Sequence, residues 1–160
     1  MGYGQFIPTS SQAYAVDFDN DGITDLVNNP VDAIGSVANY FHEHRWQPGH
    51  PVAARARVEG NGYQPLAKKG YKPSFNLDRA GQAGVTAISC QGSGVISEYC
   101  FDLPGDTRVA LLDLEGLQGT EFWLATDNFY VITRYNHSRL YAMAVLQLSR
   151  DIAAALESPQ

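Results

Sequence analysis

Residues 17–41 read DFDNDGITDLVNNPVDAIGSVANYF, an acidic stretch that runs directly into a proline-started apolar repeat. Asp17, Asp19 and Asp21 stand at alternate positions and Gly22 follows them. This is the spacing of an EF-hand loop: acids at positions 1, 3 and 5 ligate, glycine at 6 turns the chain, and the carbonyl of residue 7, here Ile23, faces the ion. Asp25 would act directly or through a water. Hard oxygen donors in a flexible loop favour calcium, and without a cation the carboxylates would repel one another. Position 12 is Asn28, which has no bidentate carboxylate to give, and the next acid is Asp32. The competing reading is a solvated Asp/Asn turn with capping aspartates on either side. The D-x-D-x-D-G match favours calcium, and Asp32 must then both close a lengthened loop and meet a helix N-terminus.

That helix is expected over 30–45. Pro30 suits the first helical position, Asp32 sits where the helix dipole favours an anion, and Val31, Ile34, Val37, Ala38 and Phe41 recur at helical spacing. Upstream, Pro8 with Thr9, Ser10 and Ser11 starts a short helix through Gln12–Ala15. From Pro48 to about Thr126, short apolar runs alternate with Gly, Pro and Asn turn signals, as in GHPVAARARV and RVALLDL, which predicts a small antiparallel β region. NFYVITRY, 128–135, is rich in β-branched and aromatic residues and reads as a strand. It leads into a helix over 141–156 whose apolar residues cover much of its circumference, predicting burial all round. Asn136 either caps that helix or faces a ligand, and capping is the expectation preferred.

Composition bounds the function. At 160 residues with 44% hydrophobic and 18% charged residues, the chain suits one domain with at most a small insertion. A net charge of −6 argues against nucleic acid, whose binding relies on Lys and Arg. No apolar run approaches the roughly 18 residues that a membrane span needs. MGYGQFIPTSS has neither a basic n-region nor an apolar h-region, and its Met1 reads as an internal methionine, so an upstream segment is expected. Cys90 and Cys100 flank a turn at Gln91–Gly94; a disulfide is conceivable, although a simple hairpin would not set them opposite each other, and two free buried thiols are the alternative. His42 and His44 are two apart on a helix and point to different sides, which argues against zinc.

With MGYGQFIPTSSQAYAVDFDNDG at 1–22, PVDAIGSVANYF at 30–41 and NFYVITRYNHSRLYAMAVLQL at 128–148, the chain resembles the MltB-type membrane-bound lytic murein transglycosylases. The match is dense over 1–47 and 127–150 and weaker between. The resemblance implies an α+β fold, a lysozyme-like, mostly helical core with an inserted small antiparallel β domain: 1–47 as a core segment with the calcium loop, 48–126 as the insertion, 127–160 as a core segment with the C-terminal helix. It implies structural Ca2+ held by Asp17, Asp19, Asp21, Ile23 and Asp32, and peptidoglycan glycan strands as partner. The reaction implied is cleavage of the MurNAc–GlcNAc β-1,4 bond by the muramyl 6-hydroxyl, leaving a 1,6-anhydro end. One glutamate then serves as acid and afterwards as base, because the substrate supplies the nucleophile.

In the family that glutamate lies on a helix well upstream of GYGQF. None of Glu43, Glu59, Glu98, Glu115, Glu121 and Glu157 lies in a matching segment, so no catalytic residue is expected in this chain and the chain alone should be inactive. Gln5, Tyr40 and Tyr130 are the implied glycan contacts. Tyr14 and Tyr135 are further candidates for stacking on sugar faces or donating hydroxyl hydrogen bonds, with core packing as the alternative for both. The resemblance implies a bacterial periplasmic location or the inner face of the outer membrane, with a membrane contact only through an upstream lipid anchor. Without upstream helices, the apolar faces of 30–45 and 141–156 would be open. The rival reading is a non-catalytic, calcium-stabilised peptidoglycan-binding module; a calcium-dependent structural domain would show no glycan affinity.

Overall fold

Pro8 and Pro30 each stand in the first turn of a helix, where a missing N–H leaves no bond unmade. The structure is a computed structural model in which residues 3, 4, 6–91 and 99–157 are described. The chain divides into two units, Met1–Gln47 and Pro48–Gln160.

In the first unit, α1 (Pro8–Tyr14) is followed by the acidic loop and then by α2 (Pro30–Glu43). The Asn29 side chain caps α2, its Oδ1 accepting the Val31 N–H at 3.0 Å. The helix is amphipathic, but its apolar repeat is not what it buries. The buried positions are Asp32, Ala33, Gly35, Ser36 and Tyr40, whereas Ile34 is 70% exposed and Val31 44%. The reason lies in its polar stripe: Asp32, Ser36 and Asn39 recur at i, i+4 and i+7 and hydrogen-bond the main chain of residues 14–25.

The second unit is built on a five-stranded antiparallel sheet of order β2-β4-β5-β1-β3, with β1 Ala53–Val58, β2 Phe75–Asn76, β3 Val85–Ala87, β4 Arg108–Gly116 and β5 Gly119–Ala125. Short helices α3 (Gln64–Ala67) and α4 (Leu77–Gln82) lie in the connections. The two longest strands form a hairpin whose Gly119 takes φ +116°, open to glycine alone without strain. Side chains alternate across these strands, so both sheet faces are covered. Val109, Leu111 and Leu124 join Leu66, Phe75, Ala80, Val85 and Phe101 in one core, while Leu114 and Trp123 share a cavity wall with Leu140 and Met143. A sheet therefore organises this unit, and the expected mostly helical core is not confirmed.

Three expectations for the C-terminal segment need correction. NFYVITRY is not a strand but helix α5 (Asp127–Tyr135). Asp127 occupies its first turn, and Asn128, Phe129, Val131, Ile132 and Thr133 are buried on it, so tertiary packing overrides β propensity. Asn136 ends α5, its N–H donating to the Ile132 carbonyl; Ser138 Oγ instead accepts the Tyr141 N–H near the start of the next helix. That helix, α6 (Arg139–Glu157), is not buried all round: Ala142, Met143 and Leu146 pack inward, while Leu148, Ile152 and Leu156 are more than half exposed. The open disulfide question resolves in favour of the bridge. Cys90 and Cys100 are bonded with their Cα atoms 5.1 Å apart, and Asp102 accepts the Cys90 N–H beside it.

Candidate functional site

The acidic loop folds upon its own carboxylates. Asp17 accepts the Gly22 N–H at 2.8 Å and the Asp21 N–H at 3.2 Å, and Asp21 accepts the Ile23 N–H at 2.8 Å. Asn20 and Gly22 both take left-handed backbone, φ 59° and 92°, as the sharp turn demands. Asp32, fully buried in the first turn of α2, receives the Phe18 N–H on one oxygen and the Asp25 N–H on the other, each at 2.8 Å. One carboxylate thus ties both limbs of the loop to the helix. Phe18 lies so close over Gly35 that a Cβ there would sit 2.3 Å from the ring, which makes glycine a packing requirement at that position.

Carboxylate oxygens of Asp17, Asp19 and Asp32 lie within 4.8 Å of one another. Among the described residues no Lys, Arg or His forms an ion pair with any of the three. A fully buried carboxylate beside two others, neutralised by no basic side chain, fits a divalent cation with oxygen ligands. Asp21 stands beside this group rather than within it, and the Ile23 side chain is exposed. Asp25 turns away: it accepts the N–H groups of Asn28 and Val27 at 2.9 Å each and the Asn28 side-chain amide at 3.0 Å. The Asn28 backbone N–H, then its side chain, then the Val27 N–H hold the Asp25 carboxyl below its ordinary value.

The glycan candidates fall into two aromatic groups. In the first unit Tyr40 is 7% exposed, with His44 stacked on it at 4.0 Å and Tyr14 edge-on at 4.9 Å. Its ring is therefore packed among its own unit's side chains. Gln5 lies outside the described residues. In the second unit Tyr130, half-buried on α5, has Tyr71 at 6.4 Å and Lys72 Nζ 5.8 Å from its ring centroid. Tyr135, also half-buried, ends the same helix. Sequence reasoning did not find Ser36, Asn39, Tyr71 or Lys72. The first two were legible as a polar i, i+4, i+7 series with Asp32; the last two are brought to Tyr130 only by tertiary structure.

Fold and loop together define the class. The family profile for the Transglycosylase SLT domain matches residues 1–150, and the chain belongs to that family. It is 43% identical over 155 residues to membrane-bound lytic murein transglycosylase B of Escherichia coli (strain K12), an alignment covering 97% of this chain and 38% of that protein. Among solved structures, the Escherichia coli lytic transglycosylase Slt35 in complex with calcium superposes with a TM-score of 0.74 at 41% identity, covering 97% of this chain and 44% of that one. SltB3 from Pseudomonas aeruginosa in complex with NAG-anhNAM-pentapeptide gives 0.69 at 34% identity, covering 91% and 36%. These likenesses support the lysozyme-like class of the fold. The chain spans less than half the length of each of these relatives.

Proposed function

We propose that the chain is the glycan-holding, cation-stabilised portion of a lytic murein transglycosylase that cleaves the MurNAc–GlcNAc β-1,4 bond and leaves 1,6-anhydroMurNAc ends. The observation that carries this reading is the 43% identity to such an enzyme across 97% of the chain. Segments 1–47 and 127–160 serve in it as lysozyme-like core and 48–126 as the β insertion. Gln5, Tyr40, Tyr14, Tyr130 and Tyr135 contact the glycan; half-buried Tyr130, with Tyr71 beside it, has the ring best placed for stacking.

Calcium bound at Asp17, Asp19 and Asp32, with Asp21 and the Ile23 carbonyl as further oxygen donors, would neutralise the buried carboxylate and lock the loop to α2. Its role is structural. The general acid–base glutamate comes from outside these residues. Glu43, Glu59, Glu115 and Glu157 are exposed, Glu121 is ion-paired to Arg55 at 2.9 Å, and Glu98 lies outside the described residues. The Cys90–Cys100 bridge supports an oxidising compartment, which in a bacterial cell envelope is the periplasm. No described helix is long and apolar enough to cross a membrane.

Incubation of the purified chain with peptidoglycan sacculi tests the reading. The chain should sediment with the sacculi and release no anhydro-muropeptides. Release would show that the acid lies within these residues, and failure to sediment would remove the glycan assignment.

A further inference from the structure

We propose that the basic depression on the second unit, lined by Lys69, Arg79 and Arg108, binds the carboxylates of the stem peptide carried by the muramyl residue. The depression encloses about 450 Å³, and Ser74, Asn76 and Asp106 complete its polar lining. Three cations face one carboxylate in a chain whose net charge is −6, so the local sign runs against the whole. Among the described residues Lys69, Arg79 and Arg108 form no ion pair, whereas Arg55 and Arg139 are both paired to carboxylates. Guanidinium groups with no carboxylate partner around a concavity suit carboxylates, which a guanidinium with free N–H groups can grip with two parallel N–H···O bonds.

The position of the depression argues for an anion attached to the glycan. Arg108 donates to the Pro73 carbonyl at 2.5 Å and so pins one end of the segment Lys68–Pro73. Within that segment Lys72 lies over Tyr130 and Lys69 lines the depression. Their Cα atoms are three residues apart, so at most about 11 Å of chain separates them. Stem peptides of murein leave the lactyl group of the sugar and carry free carboxylates. A muramyl ring against Tyr130 therefore puts its peptide within a few residues' reach of Lys69 and Arg79. The assignment rests on the glycan reading of Tyr130 and adds to it a preference for peptide-bearing over denuded strands.

Titration of the isotope-labelled chain, followed by amide chemical shifts, tests it with three probes: GlcNAc-MurNAc-pentapeptide, the same disaccharide without peptide, and inorganic phosphate. The expected result is perturbation near Tyr71 and Tyr130 by both sugars, and at Lys69 and Arg79 by the peptide-bearing one alone. That ligand should bind about fivefold to tenfold more tightly, the size of one or two partly exposed ion pairs. The advantage should fade toward 1 M salt, where the Debye length is about 3 Å. A Lys69→Gln/Arg79→Gln variant, altered at two exposed positions, should lose the advantage and keep its affinity for the denuded disaccharide. Equal affinity for the two sugars, or an advantage that survives in the variant, overturns the inference and leaves the glycan reading standing. Equal perturbation of Lys69 and Arg79 by phosphate makes the depression a general anion site and also overturns it. No response near Tyr130 to either sugar removes the glycan reading and the inference together.

Discussion

The two units differ in the balance of polar and apolar side chains that they bury. In Met1–Gln47 the buried apolar side chains among the described residues are Ala33 and Tyr40, and the helix that organises the unit turns Asp32 and Ser36 inward instead. In Pro48–Gln160 the strands turn Val109, Leu111, Leu112, Trp123 and Leu124 inward, and the buried polar side chains Thr126, Asn128 and Thr133 are uncharged and far outnumbered by apolar ones among the described residues. Apolar burial is proportional to area and indifferent to direction, whereas a hydrogen bond accepted by a buried carboxylate is directional and depends on charge. The first unit should therefore respond to cations and pH, and the second to changes of volume.

The largest effect should come from the second unit. Trp123 is fully buried, with Tyr99 edge-on at 5.1 Å and the Arg55 guanidinium 5.0 Å from its ring. Trp123→Ala should cost about 3–5 kcal/mol in urea unfolding, the range for deleting a buried aromatic ring. The loss should be the same with calcium and with chelator. A loss that changes with calcium would break the contrast between the units.

Asp32→Ala comes next and should act in the first unit only. It removes two charge-assisted hydrogen bonds, each worth about 1.5–3 kcal/mol and not additive, so a net loss of about 2–3 kcal/mol is expected. Calcium should raise the melting temperature of the parent, since a ligand bound only by the native state at 100 times its Kd adds about 2.7 kcal/mol, and should leave the variant unmoved. A variant that still gains the full calcium shift would place the cation elsewhere.

These contrasts follow how much of each unit was legible in its sequence. The loop was readable because ligand spacing is a local property: Asp17, Asp19 and Gly22 carry their meaning within six positions, and the gap at Asn28 pointed onward to Asp32. Helix α2 was readable as a helix but not for which face it buries. Hydrophobic periodicity marks an apolar stripe and is silent on a polar stripe that bonds to main chain. NFYVITRY was misread as a strand because β-branched residues weigh only on local propensity, while the burial of Phe129 and Ile132 in the folded unit decides its state. Disulfide pairing and the approach of Lys72 to Tyr130 are products of tertiary structure, and no spacing rule reaches them.

The smallest expected effect refines the picture of the acidic loop. Asp25 is an acid of the motif that caps its own turn rather than facing Asp32's carboxylate neighbours, and the hydrogen bonds from Asn28 and Val27 lower its pKa from 3.8. A carboxyl whose folded value lies below its unfolded value adds stability above the unfolded value and loses it as pH falls through the folded one. The parent, measured in chelator so that cation release does not contribute, should therefore lose stability on acidification faster than Asp25→Asn, which has no proton to take up. The two melting curves should converge between roughly pH 4 and pH 2 and run parallel above pH 5, because the change in protonation is confined to the acid range of a carboxyl. The effect should be small, since the group is exposed to solvent and its partners are backbone donors in a turn that water can also satisfy. If the difference between parent and variant stays constant across that range, the turn is held by loop geometry and not by the charge on Asp25. The ionic character of the first unit would then reside in Asp17, Asp19 and Asp32 alone.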